Sequence, residues 1–383
     1  MIAIPVFILI LFFVLGIHIT YPMLLKRLLQ KETNLSPNNI DVKAQPRSDL
    51  PMVSILIPVY NEELVIERRI NNIFESIYPK NKLQIIVIDS GSNDKTRSII
   101  ESNFHNTVTL ITEEERRGKA HAINLALKEC KGDIVILTDG TALYDKGTIL
   151  QLVSPFKDDT IGAVSAFYDV PNSEESHVSA SEHKFWLHKD NIRILESNTH
   201  STSWLSGEAC AFRNKMITKV DEDTLADDSN IALQIISKGY RVIVNQKARF
   251  TEKSPTKLSD YLKIKSRRTL GGLIETLRFK SLLFKRKYGY FGIIIFPYRF
   301  FVYLISPIVS CILIVLVIPT IIEIISYLGI YTTLLVGIAS ISIAFILRDI
   351  IMTYFYTQLI TIIALFWLLT GNVDVRWTRS KTR

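Results

Sequence analysis

Val53-Ser54-Ile55-Leu56-Ile57-Pro58-Val59-Tyr60-Asn61-Glu62-Glu63 is the stretch whose reading decides the fold. A short, mostly β-branched apolar run that stops abruptly at polar residues reads as a buried strand. Leu64–Ser76 follows with helical spacing at Leu64, Ile66, Ile70 and Ile73. Leu83–Ile88 is a second apolar run and opens onto Asp89-Ser90-Gly91-Ser92. Thr96–Phe104 reads as a helix, Val108–Ile111 as a strand and Ala120–Glu129 as a helix. Ile134–Leu137 is a further strand, running into Thr138-Asp139-Gly140. This alternation predicts an α/β domain with a mostly parallel, Rossmann-like sheet and helices on both faces. Ligands of such sheets bind at the carboxyl ends of the strands. Tyr60, Glu62, Asp89 and Asp139 fall there. Beyond residue 158, Val164–Tyr168 and Arg241–Asn245 read as strands. Glu182–Leu195 and Asn230–Lys238 read as helices.

Working outward, the 383-residue chain is framed by apolar segments. Ile2–Leu25, Phe300–Ile322, Ile324–Leu347 and Ile350–Val373 contain no Asp, Glu, Lys or Arg. Each matches the roughly 20 residues a membrane-spanning helix needs. The predicted organisation is an N-terminal anchor over 1–27, a linker over 28–50 and a catalytic domain over 51–252. A basic juxtamembrane region follows over 253–292, then transmembrane helices over 293–373 and a basic tail over 374–383. Lys26, Arg27 and Lys31 place the C-terminal side of the anchor, and the catalytic domain, in the cytoplasm. The last segment either spans the membrane or lies at its interface. The basic tail favours the inside, and Tyr354, Phe355 and Tyr356 suit an interface.

The net charge is +8, but Lys253–Lys287 alone carries eleven Lys/Arg against Asp260 and Glu275. The remainder of the chain is close to neutral. A basic cluster beside apolar segments points to anionic lipid or a phosphorylated substrate, not to nucleic acid. Cys130, Cys210 and Cys311 show no CxxC pairing, which argues against a disulfide framework or a structural zinc site. No GxxxxGK[ST] loop and no GxGxxG after a strand is present, which disfavours an ATPase or a dinucleotide enzyme.

The acids carry more. Asp89 reads either as a turn cap or as a ligand-facing carboxylate. Asp139 follows a strand and precedes Gly140, where a carboxylate can bind a divalent cation held on a diphosphate. Asp227 and Asp228 stand before an amphipathic helix, where either could be an N-cap. Three acid sites at the ends of separate elements suggest metal-assisted transfer from a diphosphate-containing donor.

At this point the residues resemble the family-2 glycosyltransferases, membrane enzymes with a GT-A nucleotide-sugar domain, and poly-N-acetylglucosamine synthase-like members in particular. The run from Val53 to Glu63 is similar to the family's opening strand and nucleotide loop. Asp89 to Thr96 resembles its second nucleotide-binding turn. Arg117-Gly118-Lys119-Ala120, with Ile123-Asn124, resembles its GKxxAlN helix start. Asp139-Gly140-Thr141 stands at its DxD motif, Ser206-Gly207-Glu208 at its acceptor-side turn and Ala226-Asp227-Asp228 at [TE]-[ED]-D. Lys265-Ser266-Arg267-Arg268-Thr269 stands where many members have QxxRW. Two departures matter. Thr141 replaces the second acid of DxD, which puts metal dependence in doubt. Thr269 replaces the Trp that goes with processive polymerisation, which weighs against a processive polymerase.

The resemblance implies an inverting transfer from a nucleotide sugar, a UDP-sugar, to a hydroxyl of a lipid-linked or glycan acceptor in the cell membrane. Asp228 is the implied base, with Asp227 beside it. Pro58, Tyr60, Glu62, Asp89, Lys119 and Asp139 are the implied donor side. Gly207, Glu208, Arg267 and Arg268 are implied on the acceptor or diphosphate side, and Asp139 is the implied ligand of Mg²⁺ or Mn²⁺. Two other readings stay open: a polyprenyl-phosphate glycosyltransferase, whose acceptor needs no base, and a non-catalytic membrane scaffold that retains the fold.

Overall fold

The computed structural model describes residues 3–33, 50–346 and 348–371. Residues 34–49 of the predicted linker and the basic tail over 374–383 lie outside the described residues.

The predicted strands β1 (Val53–Val59), β2 (Leu83–Asp89), β3 (Thr109–Thr112) and β4 (Ile134–Leu137) form one parallel block. They alternate with helices α2 (Ile66–Phe74), α3 (Thr96–Phe104) and α4 (Lys119–Glu129). The side chains of β1 alternate between two cores. Val53, Ile55 and Ile57 pack on one face of the sheet, and Leu56 packs on the other. Burial on both faces is why these strands are continuous apolar runs without alternating polar residues.

The second half corrects the expectation of a mostly parallel sheet. The full order is β3-β2-β1-β4-β7-β6-β8-β5. It adds β5 (Leu143–Tyr144), β6 (Ile161–Asp169), β7 (Cys210–Arg213) and β8 (Arg241–Thr251). β7 runs antiparallel to β4 and to β6, and β5 runs antiparallel to β8. The sheet is therefore mixed. Neither β5 nor β7 was anticipated, since both are too short to show a period. Helices α5 (Thr148–Val153), α6 (His177–Thr199) and α7 (Asp227–Ser237) complete this half.

Helix α8 (Leu258–Arg278) lies inside the predicted basic juxtamembrane region. Several of its cations engage protein carboxylates. Lys265 pairs with Glu182 at 2.7 Å, Arg268 with Glu208 at 2.7 Å and Arg278 with Asp221 at 2.6 Å and Asp223 at 2.9 Å. Part of the basic excess is thus answered within the protein, because tertiary folding delivers those acids from distant parts of the chain.

The apolar frame forms α1 (Ala3–Thr33), α9 (Phe296–Phe300), α10 (Ser306–Ile346) and α11 (Arg348–Thr370). Helix α1 continues through Thr33, so the start of the predicted linker is helical. Its inner end docks on the α/β domain. Leu25 is fully buried, Tyr21 stacks on Tyr298 at 3.5 Å, and the Tyr21 hydroxyl donates to Glu196 at 2.7 Å. The predicted boundary at Glu323 is shifted: the helix runs through that residue, and two helical segments meet at Gly329, whose φ of 72° favours glycine. Glu323 instead accepts from the Ile4 amide at 2.9 Å, which ties α10 to the start of α1. Among the described residues one helix, Phe291–Tyr327, is long and apolar enough to cross a membrane, and Phe355–Thr370 is a shorter apolar helix. Ile308, Ile314, Val315 and Ile318 expose their side chains along the former.

Candidate active site

The cleft lies at one edge of the sheet because of strand direction. β1 and β4 are parallel, so Pro58, Tyr60 and Glu62 emerge beside Asp139. β7 runs the other way, so the residues that precede it, Ser206-Gly207-Glu208, reach the same edge. Helix α7 brings Asp227 and Asp228, and α8 closes the cleft with Arg267 and Arg268.

The opening loop is held by the next one. Asn61 adopts φ 55°, a left-handed conformation that Asn tolerates better than most residues. Its amide donates to the Ser92 hydroxyl at 2.9 Å, and its side-chain oxygen accepts from the Asn93 amide at 2.9 Å. The Glu62 amide donates to Thr96 Oγ1 at 2.7 Å. Asp89 is buried and accepts from the Ser92 amide at 3.1 Å. It does not line the cleft. Of the predicted site residues it alone stands behind the wall, holding the turn. The Arg116 guanidinium covers one face of Tyr60 at 3.9 Å.

Helix α4 points its N-terminus into the cleft. Gly118 makes the entry with φ 111°, which a side chain would strain. Unpaired amides and the helix dipole at such an end suit an anion. Lys119 follows, and its Nζ lies 2.8 Å from Asp139 Oδ1 and 3.3 Å from Asp227 Oδ2. Burial by itself would lower the Lys119 pKa. The charges of Asp139 and Asp227 outweigh it and hold the ammonium above its usual range. One lysine thus offsets two carboxylates that come from different strands and helices.

Asp228 is placed differently. It sits in the first turn of α7 and accepts from the Ser229 amide at 2.6 Å. Burial, then the charges of Asp227 and Glu208, push its pKa up to about 6. Gly207 keeps this end open, since the space a side chain would take is bounded by Lys119 Nζ at 3.5 Å and Asp228 Oδ2 at 3.8 Å. Glu208 is buried and bonded to Arg268 at 2.7 Å, and the carbonyl of Glu208 accepts from Thr138 Oγ1 at 2.7 Å.

A divalent cation fits this cleft on narrow terms. No group of three or more acid, His or Cys side chains could hold a metal among the described residues. Asp139 offers one carboxylate oxygen beyond the one bonded to Lys119. Thr141, in place of a second acid, donates its hydroxyl to the buried carboxylate of Glu252. A cation here would take Asp139 from the protein and its other oxygens from diphosphate and water.

Sequence reasoning missed Lys189, Trp186 and Trp204, which also line the cleft. Trp204 lies two residues before Ser206 and could have been found by proximity. Lys189 and Trp186 sit in the middle of α6, where nothing in the sequence separates them from an ordinary helix face.

Comparison with known proteins agrees with this geometry. The model for glycosyl transferase family 2 matches residues 54–221. A probable glycosyltransferase of Bacillus subtilis, YdaM, is 25% identical over 297 residues, 71% of this chain and 68% of that protein. Poly-β-1,6-N-acetyl-D-glucosamine synthase of Staphylococcus aureus is 25% identical over 199 residues. That match covers 51% of this chain and about half, 48%, of the synthase. The solved mannosyltransferase PcManGT of Pyrobaculum calidifontis, in complex with GDP-Man and Mn²⁺, superposes with a TM-score of 0.77 at 25% identity. The superposition covers 97% of this chain and 100% of that one. The buried strands, the GK helix start, the acid sites at one sheet edge and these matches converge: residues 54–221 are a glycosyl transferase family 2 domain.

Proposed function

We propose that the chain is a membrane-bound inverting glycosyltransferase that moves a sugar from a nucleotide-diphosphate sugar to a hydroxyl of a lipid-linked or glycan acceptor. The observation that carries this reading is the unequal treatment of two adjacent carboxylates. Asp227 is paired with Lys119, whereas Asp228 is buried with its pKa raised to about 6. A carboxylate in that range can take a proton near neutral pH.

In this mechanism the acceptor oxygen attacks the anomeric carbon from the face opposite the diphosphate. The new C–O bond forms as the bond to the diphosphate oxygen breaks, and the electron pair leaves on the diphosphate. The hydroxyl proton goes to the Asp228 carboxylate. Lys119 and the N-terminus of α4 face the leaving group and stabilise the charge that builds there. Arg267 and Arg268 add positive charge from α8. Mg²⁺ or Mn²⁺ at Asp139, when bound, would supply Lewis-acid stabilisation to the diphosphate. PcManGT is described with Mn²⁺ and GDP-Man, and the synthase matched above is named for N-acetylglucosamine, so the donor panel should hold both GDP- and UDP-sugars. The apolar helix Phe291–Tyr327 supports a membrane location with the cleft beside it.

The test is release of nucleoside diphosphate by the protein in lipid, across UDP- and GDP-sugars, with Mg²⁺, Mn²⁺ or EDTA. Release from one donor is expected, rising with acceptor lipid extract. No release from any donor under any of these conditions would overturn the reading in favour of a scaffold.

A further inference from the structure

One wall of the cleft holds a cation that makes no ion pair with a carboxylate among the described residues. Lys265, Arg193 and Arg268 each have an acid partner, namely Glu182, Asp190 and Glu208. Lys189 has none among the described residues. Its Nζ lies 3.8 Å from the ring centre of Trp204 and 4.5 Å from that of Trp186. Aromatic faces attract an ammonium but replace only part of the hydration it gives up. Burial, then the like charges of Lys265 and Arg193, hold the Lys189 pKa well below its usual value. An anion arriving in the cleft would relieve both costs.

Position separates this cation from the donor side. Lys119 bonds to Asp139 and Asp227, whereas the Lys189 ammonium lies against the rings of Trp204 and Trp186. The floor under Lys189 also leads toward the apolar frame. Trp204 stacks on Tyr303, with ring centres 5.6 Å apart, and Tyr303 lies in the apolar helix Phe291–Tyr327. Arg299 fixes this junction by donating to the Ser203 carbonyl at 2.8 Å and to Thr276 Oγ1 at 2.8 Å.

We propose that Lys189, between Trp186 and Trp204, forms an acceptor subsite that binds an anionic group, a phosphate or a carboxylate, carried by the acceptor beside the hydroxyl that attacks. This rests on the transferase reading for the word acceptor, but the anion site itself does not. Trp186 and Trp204 present Lys189 and exclude water from the pair it forms. The anion comes either from a lipid-linked phosphate or from an acidic sugar, and the chemistry at Lys189 is the same.

The experiment measures binding to the full chain in lipid nanodiscs by quenching of tryptophan fluorescence. The probes are farnesyl phosphate, glucuronate and the neutral octyl glucoside. Wild type is compared with Lys189→Met, Lys189→Gln and Lys189→Arg. A charge-assisted pair predicts that one anion loses at least about tenfold in affinity in the Met and Gln variants and regains it in the Arg variant. Octyl glucoside should bind all four proteins alike. Loss confined to farnesyl phosphate assigns a lipid phosphate, and loss confined to glucuronate assigns an acidic sugar. Equal affinity of both anions for wild type and for the neutral variants overturns the subsite. Release of nucleoside diphosphate, measured on the same wild-type samples, reports separately on the transferase reading.

Discussion

The two lysines of the cleft stand in opposite surroundings. Lys119 enters from the parallel half of the sheet, at the start of α4, and is bonded to two carboxylates. Lys189 enters from the α6 side, beside the mixed half, and meets two indole faces. The acids divide in the same way. Asp139 and Asp227 share the Lys119 ammonium, while Asp228 keeps its charge at the cost of burial. A compensated cluster suits binding, because it holds one geometry and one protonation state. An uncompensated group suits chemistry or capture, because its proton or its partner is still to come.

The largest effect is expected where the comparison is most exposed. Asp228→Asn should lower turnover by ~10²–10⁴-fold, the usual worth of a positioned base, with donor affinity nearly unchanged. Single-turnover kinetics beside titration calorimetry of the nucleotide would check both halves of that statement. A retained rate would move the acceptor from a hydroxyl to a phosphate, which needs no base. The same group gives a pH dependence with a definite sign. The folded pKa of about 6 lies above the usual carboxylate value, so turnover over acceptor KM should rise through pH 6 as Asp228 ionises. Its contribution to stability runs the other way. It is fully present below the unfolded pKa of ~4 and is lost as pH rises through the folded one. Asp228→Asn should therefore raise Tm at pH 7.5, and the gain should vanish near pH 4.

The compensated cluster should respond more mildly. Asp139→Asn removes one of two partners of Lys119 and the one protein oxygen offered to a cation. Donor KM should rise by ~10–100-fold, as for loss of a charge-assisted contact, with a reduced response to Mn²⁺. An unchanged metal response would remove Asp139 from that role. Arg268→Ala leaves the buried Glu208 carboxylate without its guanidinium. That should cost ~1–3 kcal/mol of stability, read by thermal or chemical denaturation. The smallest effect belongs to Asp89→Asn. Asp89 holds a turn from behind the cleft wall, so donor KM should change by less than about fivefold, the worth of one turn hydrogen bond. A larger change would bring Asp89 back to the nucleotide.

The halves also differ in how far they could be read from the chain. β1, β2 and β4 are buried on both faces, so their runs are uninterrupted and end where the polar residues begin. The strand-end sites Pro58, Tyr60, Glu62 and Asp139 follow from that directly. The mixed half offers no such signal. β7 is four residues long and β5 two. Ser206-Gly207-Glu208 reaches the cleft only because β7 is antiparallel to β4. The basic region was visible as a charge excess, yet the direction of its side chains was not. Lys265 and Arg268 turn toward the buried Glu182 and Glu208, and Arg278 pairs with Asp221 and Asp223 at the surface.

By itself, then, the order of residues determined a buried α/β domain framed by apolar helices, with acids gathered at the ends of its strands. Periodicity and strand-end polarity are local properties, and short windows carry them. Only the tertiary structure decided which charges are answered. It put Lys119 between Asp139 and Asp227, gave Thr141 to Glu252, kept Asp89 behind the wall and left Lys189 against two indoles. Those pairings join residues up to 111 positions apart, and their strength depends on distance and burial that no short stretch of chain encodes.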